Sequence, residues 1–142
     1  MSLFNGLNIS ATGLTANRLR MDVVSSNIAN ANTNRAELVD GEWVPYRRKT
    51  VELSTADASP FAKQLSSAMG QNAGGGVKAS AIREDQTPFP VTYNPDHPDA
   101  DAEGYVRTSN VDPIQEMVDL MSATRSYEAN VTTVTTSKSM LM

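Results

Sequence analysis

Two stretches of the chain carry a seven-residue apolar rhythm, and the stretch between them does not. From residue 3 to about residue 31, Leu7, Leu14, Met21 and Ile28 recur every seven positions. Leu3, Val24 and Ala31 fall on the interleaved row, which Ser10 and Asn17 interrupt. Rows offset by three and four positions share one narrow stripe of an α-helix, the arrangement of a coiled-coil seam. Gly6 and Gly13 each weaken such a helix by about 1 kcal/mol relative to Ala. Its stability is therefore expected to come from a partner helix. Residues 112–142 repeat the pattern, with Leu120, Tyr127, Val134 and Leu141 on one row and Met117, Thr124, Val131 and Lys138 on the other. Asp112 suits the N-cap, Pro113 the first helical position and Gln115 a capping box. Thr132, Thr133, Thr135 and Thr136 lower helix propensity towards the end, so this helix too is expected to depend on packing.

Residues 35–111 hold most of the Pro and Gly and few large apolar side chains. Strand character runs from Glu42 to Leu53 through Trp43, Val44, Tyr46, Thr50 and Val51. Val77, Ala79 and Ala81 alternate with Lys78 and Ser80, and Phe89, Val91 and Tyr93 alternate likewise. Gly74-Gly75-Gly76 marks a joint or turn. Ser54 to Asn72 is compatible with a short helix or a disordered loop, and Asn94 to Asp99 is turn-rich. The prediction is an α+β chain. Long N- and C-terminal helices, over 1–34 and 112–142, pair antiparallel as a coiled-coil-like domain, and a small β-rich region fills 35–111. The family resemblance given below implies that the helical pair is the inner domain and that the loop of the middle region is variable. That region is too poor in apolar residues to bury two thirty-residue helices, so part of each stripe is expected to await a partner.

Composition narrows the function classes. Hydrophobic residues make up 39%, with three Phe and one Trp, a low share for a compact globule. The net charge of −4 argues against a nucleic-acid footprint. The one basic cluster, Arg47-Arg48-Lys49, reads as a solvated strand end. With no cysteine, disulfides, thiolate metal sites and cysteine nucleophiles are excluded, which suits a protein that passes from a reducing to an oxidising space. No apolar run approaches the roughly 20 residues of a membrane helix. Met1 to Gly6 lacks a basic start and an apolar stretch, so no cleavable secretory signal is expected there.

Sites for chemistry are few. Asp99, Asp101, Glu103 and Gly104 match positions one, three, five and six of a calcium loop, but Asn110 stands where the bidentate Glu belongs. Pro95 and Pro98 break the helix that should precede it, so a solvated acidic turn is expected. His97 is the only histidine and has no second His or Cys with which to hold zinc. It sits in a loop rather than the cleft a serine triad needs. Gly74-Gly75-Gly76 lacks the spacing of a phosphate loop. No enzyme, cofactor, metal or small-molecule substrate is expected. The unusual feature is Asn27, Asn30, Asn32 and Asn34 at the end of the first helix, where Asn27, Asn30 and Asn34 share a row. One Asn suffices for a cap, so the row is expected to bridge to neighbouring helices.

At these residues the chain resembles a known family. Ser10 to Thr33, above all Asn27-Ile28-Ala29-Asn30-Ala31-Asn32-Thr33, is similar to the N-terminal signature of bacterial flagellar rod, hook and hook-associated proteins. Asn94 to Val106, Asn110-Val111-Asp112, Glu116 to Met121 and Arg125 to Val131 narrow the resemblance to the proximal rod branch. The resemblance implies a structural subunit of the flagellar basal-body rod, the drive shaft that transmits torque from motor to hook. It implies export through the flagellar type III apparatus, assembly in the periplasm with copies of itself and other rod proteins, and no enzymatic role. The terminal helices would line the inner tube. The expected assembly residues are Leu7, Leu14, Met21, Val24, Asn27, Ile28, Asn30 and Asn34 of the first helix, and Met117, Leu120, Tyr127, Val131, Val134 and Leu141 of the second. The alternatives are a different rod or hook component, a small calcium-binding module, and a soluble coiled-coil adaptor.

Overall fold

The computed structural model describes residues 3–56, 60–68 and 75–141. Two long helices flank a middle of short strands: α1 (Leu3–Ala29), β1 (Glu37–Val39), β2 (Glu42–Val44), β3 (Lys49–Thr55), α2 (Pro60–Ala68), β4 (Val77–Glu84), β5 (Val91–Tyr93), β6 (Tyr105–Arg107) and α3 (Pro113–Leu141). The α+β reading and the pairing of the long helices are borne out. Asp112 starts α3 as expected, its carboxylate accepting the Ile114 N–H at 2.9 Å and its carbonyl the Glu116 N–H at 3.0 Å. The threonines near the end of α3 stay helical by bonding back one turn: the hydroxyls of Thr132, Thr133 and Thr135 donate to the carbonyls of Glu128, Ala129 and Val131 at 2.9 Å.

The strands form three two-stranded sheets, β1–β2, β3–β4 and β5–β6. The strand character read from Glu42 to Leu53 resolves into two strands, with a break between β2 and β3. Pro45 has no N–H to donate to a ladder. The next amides go elsewhere, Tyr46 N–H to the Thr33 carbonyl at 3.0 Å and Arg48 N–H to Asn110 Oδ1 at 2.7 Å. The alternation expected over Val77–Ala81 holds only in part, because Ala79 is exposed on the two-stranded sheet. All three residues of β5 are exposed. β1 and β6 were not anticipated. The signal for β1 is Asp40-Gly41, whose positive φ values of 52° and 89° make the tight hairpin turn that pairs Leu38 with Trp43. Within Ser54–Asn72 the helix alternative holds for Pro60–Ala68; residues 57–59 and 69–74, including Gly74, lie outside the described residues.

The chain divides into two compact units, each drawing on the N-terminal, middle and C-terminal segments. The first comprises residues 1–21, 51–82 and 121–142, the second 22–50 and 83–120. In the first, α1 and α3 run antiparallel: Gly13 faces Asn130, and the Thr124 hydroxyl meets Met21 Sδ at 3.5 Å. A Cβ at Gly13 would lie 3.1 Å from Asn130 Nδ2. The glycine that weakens the isolated helix thus makes room for the Asn130 side chain of α3. Ala16 and Ala123 are the buried residues of this contact zone, with Ser10 beside them. In the second unit the core is Val24, Tyr46, Val106 and Val111, interleaved with buried Asn27, Ser109 and Glu116.

Candidate functional site

Two features stand out: a buried polar hub in the second unit, and large apolar side chains left exposed along α3. The hub is built around Asn27, in the last turns of α1. Its side-chain amide donates to the Lys49 carbonyl at 2.8 Å and to Glu116 Oε2 at 2.9 Å. Its oxygen accepts the Lys49 N–H at 2.9 Å and the Tyr46 hydroxyl at 3.1 Å. Four bonds saturate a primary amide. Glu116, in the first turn of α3, is fully buried and accepts Arg48 Nε at 2.5 Å. Arg48 then reaches Asp119 at 3.3 Å and Asp85 at 3.8 Å. The Ser109 hydroxyl closes the cluster by donating to the Tyr46 carbonyl at 2.8 Å. A buried charge is tolerated only when paired and hydrogen-bonded, and here the pairing joins the end of α1, the 46–49 segment and the start of α3. Asp85 lies below its ordinary value near 3.8, chiefly because the Thr87 hydroxyl and N–H both donate to its carboxylate, with Arg48 and Arg47 adding attraction.

Arg48 corrects the reading of Arg47-Arg48-Lys49 as a solvated strand end: its side chain is only 18% exposed. Arg47 is also engaged, its guanidinium 4.4 Å from the centre of the Phe89 ring. The asparagine row divides. Asn27 faces inward and its bonds lie within the chain. Asn30 caps the end of α1, donating to the Ser26 carbonyl at 2.9 Å and accepting from the Thr33 hydroxyl at 3.3 Å. Asn34 is half-buried and lines a cleft beside Trp43. Glu116 and Tyr46 were not expected as site residues and Arg48 was read only as part of a basic run, since no short-range pattern links residues 68 positions apart.

The remaining expected assembly residues separate by exposure. Val24 is buried, and Leu7, Leu14, Met21, Ile28, Leu120, Tyr127 and Val134 are half-buried. Met117, Val131 and Leu141 are exposed. So are Ile114, Val118, Met121 and Met140, which the heptad rows did not single out. The deepest positions, Asn27 and Ala16 on α1 and Glu116 and Ala123 on α3, are small or polar, with Val24 and Ser10 next on α1. Apart from Val24, the large apolar side chains described on these helices are half-buried or exposed. A helix that packed only on its own chain would show the opposite.

The acidic loop behaves as a structured turn. Asp99 pairs with Arg35, and Asp101 Oδ1 accepts the N–H groups of Glu103 and Tyr105 at 3.0 and 2.9 Å. His97 Nδ1 accepts the Asp99 N–H at 3.1 Å. Among the described residues, no group of three His, Cys, Asp or Glu side chains is placed to hold a metal ion, and no helix is long and apolar enough to cross a membrane.

Comparison with known proteins settles the family. The family model described as flagella basal body rod protein matches residues 7–36. The one described as flagellar basal body rod FlgEFG protein C-terminal matches residues 102–142. The flagellar basal-body rod protein FlgC of Bacillus subtilis is 58% identical, over 100% of this chain and 95% of the relative. The chain belongs to the FlgC family of flagellar basal-body rod proteins. The FlgC of Borreliella burgdorferi is 42% identical over 99% of this chain and 93% of its own. That of Salmonella typhimurium is 42% identical over 100% and 95%. The protein is accordingly a structural subunit of the flagellar basal-body rod, and the calcium-module alternative finds no support among these relatives. In FlgC terms, the hub lies where the N-terminal match ends and the C-terminal match begins: Asn27 falls within residues 7–36 and Glu116 within 102–142.

Proposed function

We propose that this FlgC-family subunit polymerises through the large apolar side chains of its terminal helices, and that it acts by assembly rather than catalysis. The observation that carries this reading is the inverted burial of α3. Ile114, Met117, Val118 and Met121, spaced three, four and seven apart from Ile114, share one face and are each more than half exposed. Burying such a face against a neighbour contributes roughly 25 cal/mol per Å² of apolar area. The half-buried row of Leu7, Leu14, Met21 and Ile28 on α1, with Leu120, Tyr127, Val131, Val134 and Leu141 on α3, supplies further area. The partners are other copies of the chain and other rod proteins. The subunit reaches the periplasm through the flagellar type III export apparatus, and the finished rod carries torque. The 1–34, 35–111 and 112–142 segments then divide the work, the outer two assembling and the middle one facing away from the tube.

The test is the variant carrying Met117→Asp and Met121→Asp. Both side chains are exposed in the single chain, so its fold is expected to survive, as read by circular dichroism. A charge buried without a partner at an interface costs several kcal/mol. The expected result is export without incorporation into basal bodies. Incorporation at the wild-type level would remove this face from the assembly surface.

A further inference from the structure

We propose that the outer face of α3 in one copy docks antiparallel on the outer face of α1 in a second copy, with Arg18 opposite Glu128 and Asp22 opposite Arg125. The inference rests on the reading of the chain as self-assembling, and it names what covers the exposed face of α3 and in which register. Each long helix has one side packed within the chain, where Ala16 and Asn27 of α1 and Glu116 and Ala123 of α3 are buried. The opposite side is open. On α1, Thr15, Arg18, Asp22, Ser25 and Ala29 are all exposed, and their alternating steps of three and four keep them on one stripe. On α3, Val118, Met121, Arg125, Glu128 and Thr132 are exposed with the same steps, so the two stripes have equal length.

Charge fixes the direction. Each stripe carries a basic residue followed by an acidic one, Arg18 before Asp22 and Arg125 before Glu128. Parallel helices in this alignment would set like charges against each other, whereas antiparallel helices set opposite ones. Among the described residues, none of these four side chains joins an ion pair, so all four are available. The same register sets Met121 against Ser25 and Val118 against Ala29, and large side chains facing small ones let two layers interdigitate. Exposed ion pairs add little affinity. Their part is to select partner and register, while burial of the apolar side chains supplies the adhesion. The direction also agrees with the chain's own helix pair. Because α1 and α3 run antiparallel within a copy, copies that all point the same way present α3 antiparallel to a neighbour's α1. The two stripes are different surfaces, so the contact is heterologous and repeats from copy to copy.

The experiment uses the absence of cysteine in the chain. A full-length chain with Thr15→Cys and Thr132→Cys carries one thiol on each stripe, at facing positions. Mild oxidation of basal bodies containing it should give a disulfide-linked ladder of copies. Thr15→Cys with Ser139→Cys is two helical turns, about 10 Å, out of register, beyond the reach of a disulfide, and should give none. Charge reversal supplies a second readout without cysteine. Cells whose only copy carries Arg18→Glu should assemble about fivefold fewer rods. Adding Glu128→Arg to that chain should restore them, and adding Arg125→Glu should not. No ladder from the matched cysteines, closure of that chain on itself, rod numbers unchanged by Arg18→Glu, or no rescue by Glu128→Arg overturns the proposal. Failure here is separable from failure of the assembly reading. If these tests fail while the Met117 and Met121 variant is still excluded from basal bodies, the docking falls and the rod reading stands.

Discussion

The two compact units are held together by different chemistry, and the difference bears on what each can do. The unit formed by residues 22–50 and 83–120 is pinned by directional bonds: the saturated Asn27 amide, the Arg48–Glu116 pair and the Ser109 bond to Tyr46. The unit formed by residues 1–21, 51–82 and 121–142 relies on close approach of small residues, with Gly13 against Asn130 and Ala16 and Ala123 buried. Its described polar ties are fewer, such as the Val77 N–H to Thr12 Oγ1 at 3.1 Å and the Ser80 hydroxyl to the Glu52 carbonyl at 3.1 Å. Directional bonds specify one geometry and punish the loss of a partner. Small-residue packing tolerates sliding but not bulk. A subunit that must be recognisable when it arrives, yet adapt its long helices to neighbours, has use for both.

If this contrast is right, the largest effect should come from breaking the hub. Glu116→Ala takes the carboxylate away from Arg48 Nε and from one Asn27 amide hydrogen, leaving Arg48 only Asp119 and the more distant Asp85. The expected loss is about 3–5 kcal/mol, the range for breaking a buried pair, read from urea unfolding. Arg48→Ala should behave similarly, and the double variant should cost less than the sum of the two. Additive losses would mean that the two residues do not act together.

A smaller effect is expected where packing rather than pairing dominates. Ala123 is 1% exposed, so Ala123→Leu should overfill the α1–α3 contact and destabilise by about 1–3 kcal/mol. A leucine accepted there without loss would show that the helices are not closely packed at that point.

The smallest effect concerns acid. The folded-state value of Asp85 lies below its ordinary 3.8, so the unfolded chain takes up its proton first as pH falls. The Asp85 contribution is present above the ordinary value and is lost as pH drops through the lowered one. In Asp85→Asn the stability–pH curve should flatten slightly below about pH 4, while near neutrality its slope is unchanged and its level slightly lower. A flattening confined to neutral pH would contradict the assignment.

The long helices were legible because their apolar rhythm and the Asp112-Pro113 start are local signals. The direction each face takes was not, since a heptad row marks a stripe without saying what it meets. Leu7 and Leu14 were read as seam residues and are half-buried, whereas Ser10, read as an interruption, is buried. The hub was illegible for a related reason. Arg48 looks like any member of a basic run until the fold brings Glu116 to it, and Asn27 looks like a helix-end residue until Tyr46 and Lys49 close around it. By contrast, the β1–β2 hairpin has a local signal, Asp40-Gly41 between Glu37–Val39 and Glu42–Val44, which the longer apolar run from Glu42 to Leu53 overlaps. Pro45 in that run was the sign that it could not be one strand.

The central claim is that apolar side chains exposed in the single chain become covered in the rod. Methionine sulfur reports this directly, because oxidation to the sulfoxide follows access. Met117 and Met121 are 52% and 57% exposed. Brief peroxide treatment followed by peptide mass spectrometry should therefore oxidise both readily in the isolated chain. In intact basal bodies both should be protected by about tenfold or more, a difference on the order of 1.4 kcal/mol or above in access. Equal oxidation of Met117 and Met121 in the isolated chain and in the rod would contradict the account.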